Sequence, residues 1–330
     1  MTNLSIIGGG SWGTALAIVL APRFERTRLW VYEADLAERI RQTRENDVYL
    51  PGFAIPEQVE ITSALDRAMA GTEIVLSVVP SHLVRAIYQK LQPFARRRMV
   101  FVSATKGVEN NSLLRMSEVI CEVLGSNTRV AAISGPTFAR EVARGDPTAL
   151  VVASSDLALA QKLQALFSSS TFRLYTSLDT IGVEIGGSIK NVVAIGAGVL
   201  HGLELGQNAM AALITRGLAE IARLGVAMGA KSQTMAGLAG LGDLVLTCTG
   251  ELSRNRMVGV ELARGRRLQE IVESMKMVAE GIKTTNAVIE LARRYSVEMP
   301  IAEQMYQMLY GGTSPREAIR RLMERTLKGE

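Results

Sequence analysis

Three groups of residues in this 330-residue chain have the types and the spacing to do chemistry. The first is Ile6-Ile7-Gly8-Gly9-Gly10-Ser11-Trp12-Gly13, in which Gly8, Gly10 and Gly13 fill the three positions of G-x-G-x-x-G. The run follows an apolar, strand-like segment and opens into the helix formers Thr14-Ala15-Leu16-Ala17. In that setting the first glycine permits a tight turn, the second lets the backbone reach a pyrophosphate, and the third lets helix and strand pack closely. The helix start then offers free N–H groups and a positive dipole end to the anion. The pattern predicts a dinucleotide site. Glu33 stands twenty residues after Gly13, at the end of the second expected strand. A carboxylate there accepts hydrogen bonds from the adenosine ribose hydroxyls and repels a 2′-phosphate, which favours NAD over NADP. An exposed strand-end acid is the alternative, and Arg39 and Arg41 are close enough in sequence to accommodate NADP.

The second group is a pair of lysines. A dehydrogenase acting on an alcohol needs a proton donor or acceptor beside the reacting oxygen. The chain has two histidines, His82 after a strand and His201 in a helical apolar stretch, and neither stands in a catalytic cluster. Lysine is a usable acid–base group where burial and a neighbouring cation favour its neutral form. Lys190 lies in an apolar, small-residue run, Ile185-Gly186-Gly187-Ser188-Ile189-Lys190-Asn191-Val192-Val193-Ala194, where an ammonium is costly to bury without a task or a partner. A surface lysine with its stem along apolar neighbours is the alternative. Lys106 closes Ser103-Ala104-Thr105-Lys106-Gly107 at the carboxyl end of a strand, where open α/β sheets bind ligands.

The third group is Ser253-Arg254-Asn255-Arg256, ahead of the helical run Met257–Ala263. Hydroxyl, amide and guanidinium groups at a helix start form an oxyanion receptor, and an ordinary N-cap explains Ser253 or Asn255 equally well.

These residues need two kinds of scaffold. From Leu4 to about Tyr175, β-rich runs alternate with helical patterns: Leu4–Ile7, Arg28–Tyr32, Ile74–Val79, Met99–Ser103, Val130–Ile133, Ala149–Ala153 and Phe172–Tyr175. Several are apolar throughout, as strands of a covered parallel sheet must be. The alternation predicts a doubly wound α/β domain. Beyond Ser177 the strand signals cease, and helix formers dominate Ala209–Met228, Asn286–Tyr295 and Pro315–Leu327. Pro300 and Pro315 sit where helices begin.

Composition narrows the function classes. With 48% hydrophobic and 21% charged residues the chain is globular. A net charge of +5 with only 5% aromatics does not make a nucleic-acid surface. Arg96-Arg97-Arg98 is isolated, and Arg320-Arg321 belongs to a tail helix with Glu317, Glu324 and Lys328 at helical spacing. The charge-free stretch Asn191–Leu203 is too short to span a bilayer, and the start of the chain lacks a signal-peptide pattern, so neither membrane insertion nor export is expected. Cys121 and Cys248 are far apart and form no motif, which suits a reducing cytoplasm.

Taken together, the blocks Gly8-Gly9-Gly10-Ser11-Trp12-Gly13-Thr14-Ala15-Leu16-Ala17, Ala104-Thr105-Lys106-Gly107, Ser134-Gly135-Pro136-Thr137-Phe138-Ala139-Arg140-Glu141, Lys190-Asn191-Val192-Val193-Ala194, Ala211-Ala212-Leu213-Ile214-Thr215-Arg216-Gly217, Gly240-Leu241-Gly242-Asp243-Leu244 and Ser253-Arg254-Asn255 carry a resemblance. In their order and over essentially the whole chain, they resemble the bacterial-type NAD(P)-dependent glycerol-3-phosphate dehydrogenases.

The resemblance implies a Rossmann-type NAD(P)-binding domain over 1–177 and an all-α substrate-binding domain over 178–330, in the arrangement of 6-phosphogluconate dehydrogenase. It implies cofactor contacts from Ser11, Trp12, Lys106, Ala139, Arg254, Val278 and Glu280 beside the glycine loop. It implies a substrate set of Lys106, Gly135, Thr137, Lys190, Asp243, Ser253, Arg254 and Asn255, with Lys190 as the proton acceptor and Lys106 stabilising charge on the oxygen. Asn191 and Thr247 are expected as polar helpers.

The implied reaction is hydride transfer between sn-glycerol 3-phosphate and dihydroxyacetone phosphate, supplying glycerol 3-phosphate for phospholipid synthesis, by a cytoplasmic homodimer. The sequence also shows departures from the family pattern: Gly9 replaces an alanine, Thr137 a serine, and Ser188 an alanine or threonine, while His201 and Gln207 replace acids. A related two-domain dehydrogenase of another small phosphorylated or hydroxy-acid substrate, or a non-catalytic NAD-binding sensor, is the rival reading.

Overall fold

A computed structural model describes residues 2–275, 277–327 and 329. Lys328, counted above with the tail helix, lies outside the described residues. The chain divides into two compact units, Met1–Lys106 with Leu114–Glu184, and Gly107–Leu113 with Ile185–Glu330. The division falls inside a helix, between Glu184 and Ile185, rather than at the expected boundary after residue 177.

The first unit is built on strands β1 (Asn3–Ile7), β2 (Arg26–Trp30), β5 (Val59–Thr62), β6 (Ile74–Ser77), β7 (Val100–Ser103), β8 (Arg129–Ser134), β9 (Thr148–Ala153) and β10 (Phe172–Ser177). Two short strands, β3 (Glu45–Asn46) and β4 (Leu50–Ala54), form a separate antiparallel hairpin. The helices are α1 (Ser11–Leu20), α2 (Ala34–Thr43), α3 (Leu65–Met69), α4 (Val84–Leu91), α5 (Met116–Leu124), α6 (Ala139–Arg144) and α7 (Leu157–Phe167).

The sheet order is β10-β9-β8-β7-β6-β1-β2-β5. From β1 the chain winds outward first through β2, then returns to β6 on the other side. The loop after β1 therefore sits at a topological switch point, where such sheets bind ligands. Strands β5, β2, β1, β6, β7 and β8 pair in parallel. At the far edge of the sheet β9 runs antiparallel to β8, with Ser134 opposite Val151, and β10 pairs parallel to β9. The connection from β8 to β9 carries only the short α6, which packs on α1 instead of covering a right-handed crossover.

Apolar runs on both faces explain the buried strands. Leu4, Ile6, Ile74, Leu76, Val100 and Val102 feed one hydrophobic cluster, while Ile7, Val75 and Phe101 feed the other. Each such side chain, nearly or fully buried, contributes about 1.5–3 kcal/mol. Near the end of this unit, Glu184 accepts hydrogen bonds from Arg115 at 2.5 Å and from the backbone and hydroxyl of Ser117 at 2.8 and 2.6 Å.

The second unit is helical. It holds most of α8 (Thr180–Gly202), then α9 (Gln207–Ala227), α10 (Ser232–Met235), a π-turn over Leu238–Gly242 and α11 (Asp243–Thr249). The remaining helices are α12 (Arg254–Ala263), α13 (Leu268–Ser274), α14 (Glu280–Arg294), α15 (Pro300–Tyr310) and α16 (Pro315–Met323). Pro300 and Pro315 open α15 and α16, where a missing N–H costs nothing.

The expectation that no segment reaches the length of a bilayer is corrected by α8. At 23 residues it is long and apolar enough to cross a membrane by length and composition, yet its most apolar window is 100% buried inside the protein. Lys190 and Glu184 lie within this core helix, which is why the sequence showed only a shorter charge-free run. At the tail, Arg320 pairs with Glu317 and Glu324, as the helical spacing predicts.

Candidate active site

The glycine loop is shaped by what cannot fit. Gly8 has φ +127°, and a Cβ on it would lie 2.8 Å from the Val78 carbonyl oxygen. A Cβ on Gly13 would lie 1.8 Å from the oxygen of Gly8, so α1 can start this close to β1 only with glycine there. Around Gly10, by contrast, a Cβ would meet nothing within 4 Å. Gly10 caps α1, whose first turn, Ser11 and Trp12 included, carries no acidic residue to offset the helix dipole. Two glycines hold the loop and the third opens it, which fits a dinucleotide pyrophosphate. The departure at Gly9 has a local reason: a Cβ there would press to 2.7 Å from Val31 Cγ2.

Glu33 is exposed and lies just beyond β2, at the N-cap of α2. Its carboxylate accepts a hydrogen bond from the Tyr49 hydroxyl at 2.9 Å. Burial, then the bond to Glu33, pushes the Tyr49 phenol above its usual range, so it remains the donor. Arg39 and Arg41 are engaged elsewhere, with Asp47 and Glu38. Ala139 opens α6 and is half-buried.

Lys106, Gly135 and Thr137 come together in the first unit. Lys106 Nζ donates to the Gly135 carbonyl at 2.9 Å and to Thr137 Oγ1 at 3.4 Å. Gly135 has φ +151°, and a Cβ on it would press to 2.8 Å from Leu150. The hydroxyl kept by Thr137 is the group used.

In the second unit, Lys190 is 5% exposed and Asp243 1%. Lys190 Nζ donates to Asp243 Oδ1 at 2.5 Å and to Thr247 Oγ1 at 2.7 Å. Thr247 in turn donates to the Asp243 carbonyl at 2.6 Å, which fixes its lone pair toward the lysine. Asp243 and Thr247 stand one turn apart on α11, so one helix face presents both groups. The carboxylate compensates a buried ammonium that burial alone would penalise. Cys248 lies fully buried nearby, and desolvation pushes its thiol up to about 12, which leaves it inert.

The Ser253-Arg254-Asn255 block opens α12. Ser253 accepts from the Arg256 N–H at 3.2 Å, the N-cap that the sequence left open as an alternative. Asn255 donates to Asn191 Oδ1 at 3.0 Å and accepts from Gly281 N–H at 2.9 Å. Arg254 donates to the Val278 carbonyl at 2.9 Å. Burial lowers its guanidinium from the usual range, with the Glu280 carboxylate acting against that shift. Arg254, Val278 and Glu280 are thus neighbours, and a partly desolvated cation at a helix start attracts an oxyanion.

Helices α8 and α12 meet backbone to backbone: a Cβ on Gly198 would lie 1.9 Å from the Arg256 oxygen, and one on Gly259 1.9 Å from the Ile195 oxygen. Ser188 Oγ accepts from the N–H of Gly107 at 2.9 Å, a use for the hydroxyl at that departure. His201 is exposed in the last turn of α8, and Gln207 begins α9; neither touches the groups above.

Sequence reasoning missed Asn46, Tyr49, Arg115 and Glu184. Their partners are remote in the chain or lie in elements without a periodic signal, and an asparagine or tyrosine in an irregular stretch gives no sign of what it binds.

Residues 3–160 match the family described as NAD-dependent glycerol-3-phosphate dehydrogenase N-terminus, and residues 179–320 match its C-terminus. The glycerol-3-phosphate dehydrogenase [NAD(P)+] of Koribacter versatilis is 56% identical over 329 residues, covering 98% of both chains. That of Syntrophotalea carbinolica is 52% identical and covers 99% of each. The crystal structure of glycerol-3-phosphate dehydrogenase from Coxiella burnetii superposes with a TM-score of 0.94 at 40% identity, covering 98% of this chain and 99% of that one.

Proposed function

The chain belongs to the NAD-dependent glycerol-3-phosphate dehydrogenase family, and on that premise we propose that it interconverts sn-glycerol 3-phosphate and dihydroxyacetone phosphate. The observation that carries the reading is the buried Lys190, held by Asp243 and Thr247. A nicotinamide cofactor, which the glycine loop and Glu33 would hold, would supply the hydride chemistry at C2 of the substrate. In reduction, Lys190 in its ammonium form donates a proton to the oxygen on C2; in oxidation its neutral form accepts that proton. Asp243 compensates the lysine charge, and Thr247 fixes the direction of Nζ.

Substrate binding is assigned to Lys106, Gly135 and Thr137 in the first unit, and to Ser253, Arg254 and Asn255 in the second, with Arg254 reading the phosphate. Gly8, Gly10, Ser11, Trp12 and Gly13 take the cofactor pyrophosphate, while Ala139, Val278 and Glu280 complete the cofactor contacts. Glu33 favours NAD. The product serves phospholipid synthesis. Two free thiols, one buried and one half-buried, support a cytoplasmic setting. A homodimer is the assembly, supported by the family likeness and the prevalence of two-fold oligomers.

The test is NADH and NADPH oxidation with dihydroxyacetone phosphate, against unphosphorylated dihydroxyacetone. Rapid turnover of the phosphorylated ketone alone is expected. Turnover of a hydroxy acid instead would favour a related dehydrogenase, and cofactor binding with no turnover a sensor.

A further inference from the structure

The hairpin β3–β4 carries two polar side chains that the reaction does not use. Asn46 is 0% exposed, and its Nδ2 donates to the Gly9 carbonyl and to Thr14 Oγ1, both at 2.8 Å. Its Oδ1 accepts from the Tyr49 N–H at 3.0 Å. Tyr49 then donates its hydroxyl to Glu33 Oε1 at 2.9 Å. One chain of hydrogen bonds therefore runs from the glycine loop to the carboxylate beyond β2, entirely within the first unit.

Each end of that chain has a consequence. A trans peptide is planar and points its C=O and N–H in opposite directions. By drawing the Gly9 oxygen inward, Asn46 turns the Gly10 N–H of the same peptide away from itself, and the Gly10 backbone is open where a side chain would stand. At the other end Glu33 is exposed, and an exposed carboxylate is free to rotate. Tyr49 holds one of its oxygens and leaves the other to accept from a ligand.

We propose that Asn46 and Tyr49 are positioning residues, a strap whose Tyr49 end orients the ribose-reading carboxylate of Glu33 and so sets the choice between a free and a phosphorylated ribose, while its Asn46 end shapes the phosphate loop. The proposal rests on Glu33 reading the adenosine ribose. It assigns the two ends different effects. Tyr49 acts on the ribose half alone, so it moves the ratio of NADH to NADPH affinity. Asn46 acts on the pyrophosphate half, common to both cofactors, so it moves both affinities together.

The experiment titrates NADH and NADPH, by cofactor fluorescence and calorimetry, into the full-length protein and its Glu33→Ala, Tyr49→Phe and Asn46→Asp variants. Loss of one charge-assisted hydrogen bond at a part-exposed site is expected to shift the affinity ratio toward NADPH by about 3- to 10-fold in Tyr49→Phe. Glu33→Ala is expected to shift it in the same direction by about tenfold or more. Asn46→Asp, which keeps the acceptor for Tyr49 but loses the donors, is expected to weaken both cofactors about equally, by roughly tenfold.

A shifted ratio in Glu33→Ala with an unchanged one in Tyr49→Phe overturns the strap and leaves the ribose reading standing. An unchanged ratio in Glu33→Ala overturns the ribose reading and the strap with it. Unequal losses in Asn46→Asp remove the loop end of the proposal. Should that buried variant fail to fold, Tyr49→Phe, at a partly exposed position, decides alone. A merely structural tyrosine would lower the melting temperature without moving the ratio.

Discussion

Replacing Asp243 with asparagine isolates the charge in the lysine site while keeping its shape. The carboxylate lies 2.5 Å from Lys190 Nζ, with side-chain exposures of 6% for the lysine and 1% for the acid. Breaking a buried pair by removing one charge costs about 3–5 kcal/mol, because the other is left uncompensated. At about 2–4 °C per kcal/mol for a domain of this size, Asp243→Asn should melt roughly 6–20 °C below the parent. The double variant Lys190→Met/Asp243→Leu, which removes both charges for apolar groups of similar volume, should recover most of that loss. Both variants should lose about 10²–10⁴ in kcat, the range for a missing acid–base group or its support. Calorimetry at neutral pH together with steady-state turnover of dihydroxyacetone phosphate reads the two effects. Melting of Asp243→Asn within about 2 °C of the parent would refute the argument, since a loss of 3 kcal/mol cannot hide in so small a shift.

Other consequences are equally concrete. Arg254→Ala should raise KM for dihydroxyacetone phosphate by about 10- to 100-fold, as expected for one lost charge-assisted contact, with a much smaller effect on unphosphorylated dihydroxyacetone; equal losses on both would contradict a phosphate role. Glu220 is 3% exposed and accepts from the N–H groups of Ile301 and Ala302 at the start of α15, yet burial pushes its carboxyl up to about 7. A folded-state value above the unfolded one adds stability that is complete below about pH 4.5 and fades as pH rises through about 7. Glu220→Gln should therefore flatten the pH dependence of the urea midpoint across that window, and an unchanged slope would show that Glu220 does not titrate there. Gly259→Ala, whose added Cβ would sit 1.9 Å from a carbonyl oxygen, should cost about 1–3 kcal/mol or more by chemical denaturation. Gly206→Ala, with open space around it, is the control and should be near neutral.

What could be seen in the sequence was whatever depends on neighbours along the chain. The glycine loop, the apolar strands and the lysine in an apolar helix each carry their signal within a dozen residues, and the sheet and helical unit follow from them. The edge strand β5 was missed because Val59–Thr62 is only four residues long and follows Pro56. The hairpin was missed because Pro51 and Gly52 interrupt any alternation in β4. Reversal of β9 depends on how α6 packs, which its local sequence does not encode. In the site, the neighbours Lys190 and Asn191 were legible, but Asp243 as the partner of Lys190 was not, because 53 residues separate them. The strap through Asn46 and the hold of Arg115 on Glu184 are likewise products of tertiary folding.

The touching backbones of α8 and α12 act as a ruler. Lys190 stands on one helix and Arg254 on the other, so the span from the amine proposed to carry the proton to the guanidinium proposed to read the phosphate is measured from a peptide-to-peptide contact. Repacking of the surrounding core leaves that baseline where it is, since no side chain lies between Gly198 and Gly259 to be enlarged or trimmed. On the proposed roles, a longer substrate would be accommodated at the tips, through the reach of the side chains at 190 and 254. A homologue adapted to a longer phosphorylated ketone would carry its changes there and keep both glycines.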